Sequence, residues 1–325
     1  MKQGRAALAA IAIVIPLAMV ATLYTAGTQP QQQQTTASGA AVARERQPLK
    51  VVTSFYPLYD FATHVAGDKA EVSSLVPPGI EPHDWEPTLG DVMKARDADV
   101  LIINGAGFES WAPGIGAKML VNTTEGLDLL GSGQEGEGEG VGGQGLHVGV
   151  NPHVWLDPVF AKHQVDAIRA ALVKADPEDA AYYNDNAERF SSKLDALDSS
   201  IRHELASCKK SDFISFHDAF KWFAQRYGLV QHSIQGVSPD GEVLPQKIQE
   251  AVTLARSLGL KVIYSEDLID RRLPDVIASE IPGAKVLVLS PIEGVNSTER
   301  AAGIGYMEKM DENVANLKEG LECAA

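Results

Sequence analysis

The chain has 325 residues, and its 28 Lys and Arg against 43 Asp and Glu give a formal net charge of −15 at pH 7. So acidic a balance argues against nucleic acid and anionic membrane surfaces as partners and is compatible with gathering cations. The 45% hydrophobic content is ordinary for a soluble protein, and only two cysteines, Cys208 and Cys323, exclude a zinc–thiolate site and a dense disulfide scaffold.

Residues 1–27 read as a targeting segment, with Lys2 and Arg5 as a basic front and an apolar run from Ala6 to Tyr24 that Pro16 interrupts. The run sits at the border of about 18 apolar residues where spanning begins, so it serves either as a retained membrane anchor or as a cleaved secretory signal. No Cys follows it, which argues against a bacterial-type lipid attachment. Either way the remainder is exported to an extracellular or periplasmic-type space. Residues 28–48, rich in Gln, Thr, Ser and Ala, form a flexible tether of about 25 Å r.m.s. span.

From residue 49 short β-branched runs alternate with amphipathic windows, which implies βαβ units and a mainly parallel sheet. Strands are predicted at 49–55, 70–76 and 99–105, with helices over 58–67 and 88–98, the latter capped by Thr88 with Asp91 three residues on. Residues 130–150 carry Gly with Glu135, Glu137, Glu139 and His147 and read as a mobile loop, either a weak accessory metal collector or a solvated linker. Another helix starts near Asp157. The longest helical stretch, 177–208, is without Gly or internal Pro and suggests a rigid connection between two lobes, 49–176 and 209–325. The second lobe repeats the pattern, with strands at 213–216, 229–235, 261–266 and 284–290 and a last helix over 304–322. In an exported protein Cys208 and Cys323 can pair across 115 residues; two free thiols are the alternative.

Three stretches, EPHDWEP, NPHVWLDP and SFHDAF, each carry one histidine in a polar and aromatic setting, and VLSPIEG adds a carboxylate. His83, His153, His217 and Glu293 lie 70, 64 and 76 residues apart, so only a large fold can bring them together. At least three lie beyond the carboxyl ends of predicted strands, two come from each lobe, and the cleft between lobes is the natural meeting place. Three imidazoles and a carboxylate suit Zn²⁺. Glu81, Asp84, Asp157, Asp218 and Glu266 are candidates to hold the second ring nitrogens, and Trp85 and Trp155 to exclude water. Few protons should be released on binding near neutral pH, because the imidazoles are mostly neutral already.

These motifs resemble the metal-binding, cluster A-I solute receptors of ABC importers, the zinc and manganese group. The resemblance covers about residues 49–322 through SFYPLYD, PPGIEPHDWEPTLGD, NGAGFESW, NPHVWLDP, FISFHDAFKWFAQRYGL, QGVSPDGEVLP and the YSE strand end. It implies two Rossmann-like α/β lobes joined by one long helix, with the metal site in the cleft between them. The first three ligand positions of the family fall on His83, His153 and His217, and the third favours Zn²⁺ over Mn²⁺ because it is an imidazole. Where many members have an Asp this chain has Ser290, and the Glu three residues later used by some zinc receptors matches Glu293, with water as the rival fourth ligand. The resemblance makes Glu266 a support rather than a ligand. It also implies a monomeric, non-enzymatic receptor that hands Zn²⁺ to a membrane permease and its ATPase. A Mn²⁺ or Fe²⁺ receptor, a metal-dependent adhesin and a zinc hydrolase are the alternatives.

Overall fold

A computed structural model describes residues 47–129, 150–239 and 241–324. The leader or anchor expected at 1–27, nearly all of the tether and the Gly/Glu loop up to residue 149 lie outside the described residues. Among the described residues no helix is long and apolar enough to cross a membrane.

Two four-stranded, all-parallel sheets share one topology. The first holds β1 (Leu49–Thr53), β2 (Ala70–Ser74), β3 (Val100–Ile103) and β4 (Leu120–Asn122) in the order β2-β1-β3-β4. The second holds β5 (Asp212–Ser215), β6 (Val230–Ser233), β7 (Val262–Ser265) and β8 (Lys285–Val288) in the order β6-β5-β7-β8. In register, Val51 pairs with both Val72 and Val100, and Ile214 pairs with Ile263. Strands β3 and β7 are buried throughout, as strands covered on both faces of a parallel sheet should be. In each sheet the chain reverses its direction of winding between the two central strands, and ligands of open α/β sheets gather at the carboxyl ends beside that point.

Helices α1 (Tyr56–Ala66) and α2 (Leu89–Asp97) link the first strands, and the expected Thr88–Asp91 capping box is present on α2. Pro158 opens α3 (Pro158–Ala175), capped by Asp157. Pro177–Asp179 form a 3₁₀ turn, so the long helix α4 begins later than the sequence suggested and runs over Ala180–Leu205. Its 26 residues span about 39 Å. Tyr183, Ala187, Phe190, Leu194, Leu197, Ile201 and Leu205 recur at three- and four-residue steps, so one stripe of α4 is buried. That stripe belongs to a single core that reaches from Val51 and Phe61 in the first lobe to Phe213 and Tyr264 in the second. The long helix therefore does more than bridge the sheets in sequence: its buried side chains are part of both interiors.

The second lobe adds α5 (Lys221–Tyr227), α6 (Pro245–Leu258), α7 (Arg272–Ser279), α8 (Ser297–Ala301) and α9 (Tyr306–Gly320). Cys208 and Cys323 form a disulfide that ties the segment after α4 to the segment after α9. Beside it the Lys210 N–H donates to the Leu321 carbonyl at 3.1 Å.

Candidate metal centre

Four loops at carboxyl ends of strands or before a helix carry the four predicted residues to one point. His83 stands in the Pro-rich loop after β2, where its backbone N–H donates to Glu81 Oε1 at 2.8 Å. His153 opens a 3₁₀ turn before α3. His217 follows β5, and Glu293 follows β8. Each of the ligand atoms lies within 4.8 Å of all the others. His153 Nε2 is 3.2 Å from His83 Nε2 and 3.1 Å from His217 Nε2. Glu293 Oε1 is 3.0 Å from His83 Nε2, 3.0 Å from His153 Nε2 and 3.4 Å from His217 Nε2. A tetrahedral Zn²⁺ with bonds near 2.05 Å has ligand–ligand edges of about 3.3 Å, close to these five separations, while His83 and His217 stand within 4.8 Å of each other.

Two of the other ring nitrogens, those of His153 and His217, are held by acceptors. Asn151 Oδ1 takes both the backbone N–H of His153, at 3.1 Å, and its Nδ1, at 2.9 Å. Glu266 Oε1 does the same for His217, at 3.0 and 2.7 Å. An acceptor on Nδ1 places the hydrogen there and leaves the Nε2 lone pair facing the centre. Nitrogen atoms and a carboxylate this close need a cation among them, a proton in the metal-free protein or a metal ion once it is bound. Glu293 Oε2 is also buried without a hydrogen-bond partner among the described residues. The donor set therefore fits a divalent metal.

Burial makes the cluster electrostatically extreme. His153 and His217 have no exposure and Glu293 has 1%. Burial pushes His153 down to about 3, against the pull of Glu293. It opposes protonation of His217 too, yet the Glu266 and Glu293 carboxylates prevail and hold that imidazole well above its ordinary value. Burial also disfavours charge on Glu293, but His217 and hydrogen bonds from the three histidines keep its carboxyl well below the usual range. Glu81 moves the other way, to about 9, through burial and then the Glu293 charge. In the metal-free protein each of His217 and Glu293 thus favours the charged form of the other. The expectation of mostly neutral imidazoles thus meets an opposing influence at His217.

The five candidate supports separate clearly. Glu266 holds a ring, and Glu81 holds the backbone of His83. Asp157 instead pairs with Arg226, at 2.9 and 2.8 Å from Nε, besides capping α3. Asp218 contributes its carbonyl to Asn151 Nδ2, at 2.5 Å. Asp84 is exposed and bonds to no histidine among the described residues. Trp155 packs against His153 with centroids 5.1 Å apart, whereas Trp85 packs on Trp111, and the ring against His83 is Phe108, at 4.9 Å. Sequence reasoning missed Asn151 and Phe108; Asn151, two residues before His153, was the more detectable, since Asn readily folds back on its own backbone. It also missed Glu109, which accepts Ser54 Oγ at 2.6 Å and the N–H groups of Asn104 and Gly105 at 2.8 and 2.9 Å. Asn104 in turn donates to the Pro152 carbonyl at 3.0 Å, next to His153. Gly105 is required there: its φ is +85° and a Cβ would meet Asn122 Oδ1 at 1.9 Å.

A model of the family described as zinc-uptake complex component A, periplasmic (ZnuA) matches residues 51–320. The chain belongs to that family. It is 39% identical over 280 residues to the high-affinity zinc uptake system protein ZnuA of Bacillus subtilis, covering 84% of this chain and 88% of the relative. It is 34% identical over 278 residues to the zinc-binding lipoprotein AdcA of Streptococcus pneumoniae, covering 83% of this chain. It spans only 55% of that relative's length. Among solved structures, the Zn(II)-bound ZnuA-like domain of Streptococcus pneumoniae AdcA superposes with a TM-score of 0.73 at 32% identity, over 85% of this chain and all of that domain. The metal-dependent lipoprotein YcdH of Bacillus subtilis has the same TM-score at 37% identity, over 84% of this chain and 99% of that one. The two-lobed architecture of ZnuA-like solute-binding proteins is therefore the architecture of this chain.

Proposed function

We propose that this protein is the exported receptor of an ABC importer, which captures Zn²⁺ between its lobes and delivers it to a membrane permease and its ATPase. The observation that carries the reading is the convergence of His83, His153, His217 and Glu293 from four separate loops with their donor atoms all within 4.8 Å of one another. Zn²⁺ is cargo here. The three imidazoles and one carboxylate are its ligands; Glu266 and Asn151 aim two of the rings, and Glu81 fixes the His83 loop. His83, whose side chain retains 8% exposure, lies on the side of entry and exit. The resemblance to zinc uptake proteins supports zinc as the cargo. The N-terminal segment keeps the receptor near the membrane, and the body works as a monomer.

A three-histidine zinc site with an open fourth position would hydrolyse substrates. Glu293 closes that position, which favours transport over catalysis. Metal competition on the purified apo-protein tests the reading: Zn²⁺ should displace Mn²⁺ at one equivalent, and a preference for Mn²⁺ over Zn²⁺ would overturn it.

A further inference from the structure

The residue before the carboxylate ligand is in an unusual conformation. Ile292 is fully buried and has a φ of +56°. For a β-branched residue the left-handed region is a true outlier, held only when its surroundings over-determine it. Its strain has a visible restraint. The Ile292 N–H donates to Ser290 Oγ at 3.1 Å, and that hydroxyl donates to Asp267 Oδ2 at 2.8 Å. The backbone of Ser290 is equally committed: its N–H donates to Asn313 Oδ1 and its carbonyl accepts from Asn313 Nδ2, both at 2.7 Å. Behind the hydroxyl stands Lys309, 3% exposed, whose Nζ lies 2.8 Å from Asp267 Oδ2 and 2.5 Å from Glu299 Oε1. From the first lobe Trp155 Nε1 donates to the Pro291 carbonyl at 2.7 Å. Apart from the Ile292 N–H, which Ser290 itself holds, every polar group named on this turn is therefore fixed from α9, from the end of β7 or from across the cleft.

Resting on the zinc-receptor reading, we propose that Ser290 is the positioning residue for the fourth ligand. Its hydroxyl, oriented by Asp267 and Lys309, turns Ile292 into the left-handed region and so aims the Glu293 carboxylate at the three imidazoles. Without the hydroxyl the Ile292 N–H loses its acceptor, Ile292 relaxes towards ordinary backbone, and the following side chain swings away from the cluster. The site then becomes three imidazoles and a water.

The test compares wild type, Ser290→Ala, Ser290→Thr and Glu293→Gln as purified full-length proteins. The readouts are zinc affinity by chelator competition, the visible d–d spectrum of the Co²⁺ form, and the unfolding midpoint of the metal-free form. Ser290→Ala should weaken zinc binding by about tenfold, as loss of a ligand's support typically does. Its Co²⁺ spectrum should move to that of Glu293→Gln, and Ser290→Thr, which keeps the hydroxyl, should return both readouts towards wild type. A Ser290→Ala protein with the wild-type Co²⁺ spectrum overturns the proposal, whether its affinity is unchanged or merely lowered together with its unfolding midpoint. So does a Ser290→Thr protein no better than Ser290→Ala. A wild-type protein that takes up neither Co²⁺ nor Zn²⁺ would instead overturn the receptor reading itself, and the proposal with it.

Discussion

Glu266 receives both the backbone N–H and the ring Nδ1 of His217 on a single oxygen, at 3.0 and 2.7 Å. The two residues follow β7 and β5, the strands that flank the reversal point of the second sheet. One carboxylate therefore sets both the loop and the ring that face the cleft. Replacing Glu266 with Ala should lower zinc affinity by about 10- to 100-fold, the usual cost of removing a ligand's hydrogen-bond partner. Chelator-competition titration measures it, and an unchanged affinity contradicts this role.

Zinc binding should expel a proton. In the metal-free protein the Glu266 and Glu293 carboxylates overcome burial and hold His217 protonated well above its ordinary value of 6.5. The metal requires the Nε2 lone pair, so at pH 7 about one proton should leave per zinc bound. Calorimetry in buffers of different ionisation enthalpy counts it. Affinity should fall about tenfold per pH unit on acidification while His217 is the only group displaced. A count near zero would contradict a protonated His217.

Acid should also destabilise the metal-free fold through His153. Its folded value is about 3 against an ordinary 6.5, because burial disfavours the cation. Below pH 6.5 the unfolded chain takes up a proton that the folded chain refuses, so stability falls as pH drops from about 6.5 towards 3. His217 has the opposite sign: its contribution is complete below 6.5 and is lost as pH rises through its raised folded value. Between pH 7 and 5 the His153 component amounts to roughly 2 kcal/mol. Urea denaturation should show His153→Ala losing less stability over that interval than wild type; an equal loss refutes the assignment.

The Cys208–Cys323 disulfide closes a loop of 115 residues. Chain entropy credits such a closure with up to about 4–5 kcal/mol, so a Cys208→Ser/Cys323→Ser variant should unfold at lower denaturant concentration. Its zinc affinity should stay near wild type, because neither cysteine touches the four clustered residues. An unchanged unfolding midpoint, or a large loss of affinity, would contradict this separation of roles.

The residues that converge at the centre were legible because each sits in a Pro- or aromatic-flanked loop, three of them beside strand ends and His153 before a helix, and four such loops in one α/β chain leave one place to meet. The strand β4 was not legible: Leu120–Asn122 is three residues long, half exposed, and lies at a sheet edge. The partner of Asp157 was hidden for another reason. Arg226 lies 69 residues away, and nothing local distinguishes an acid that caps a helix and binds Arg from one that binds His. The charge state of His217 was out of reach of the sequence as well, since it depends on two carboxylates that only the folded chain places beside one imidazole.

Each role assigned above depends on one Zn²⁺ sitting among His83, His153, His217 and Glu293. Zinc-edge X-ray absorption on the one-to-one complex, read beside anomalous diffraction from zinc-loaded crystals, tests it most directly. The zinc should be four-coordinate, with three imidazole nitrogens at about 2.0–2.1 Å and one carboxylate oxygen at about 2.0–2.2 Å. A zinc bound elsewhere, or a first shell lacking any of the three imidazoles, would contradict it.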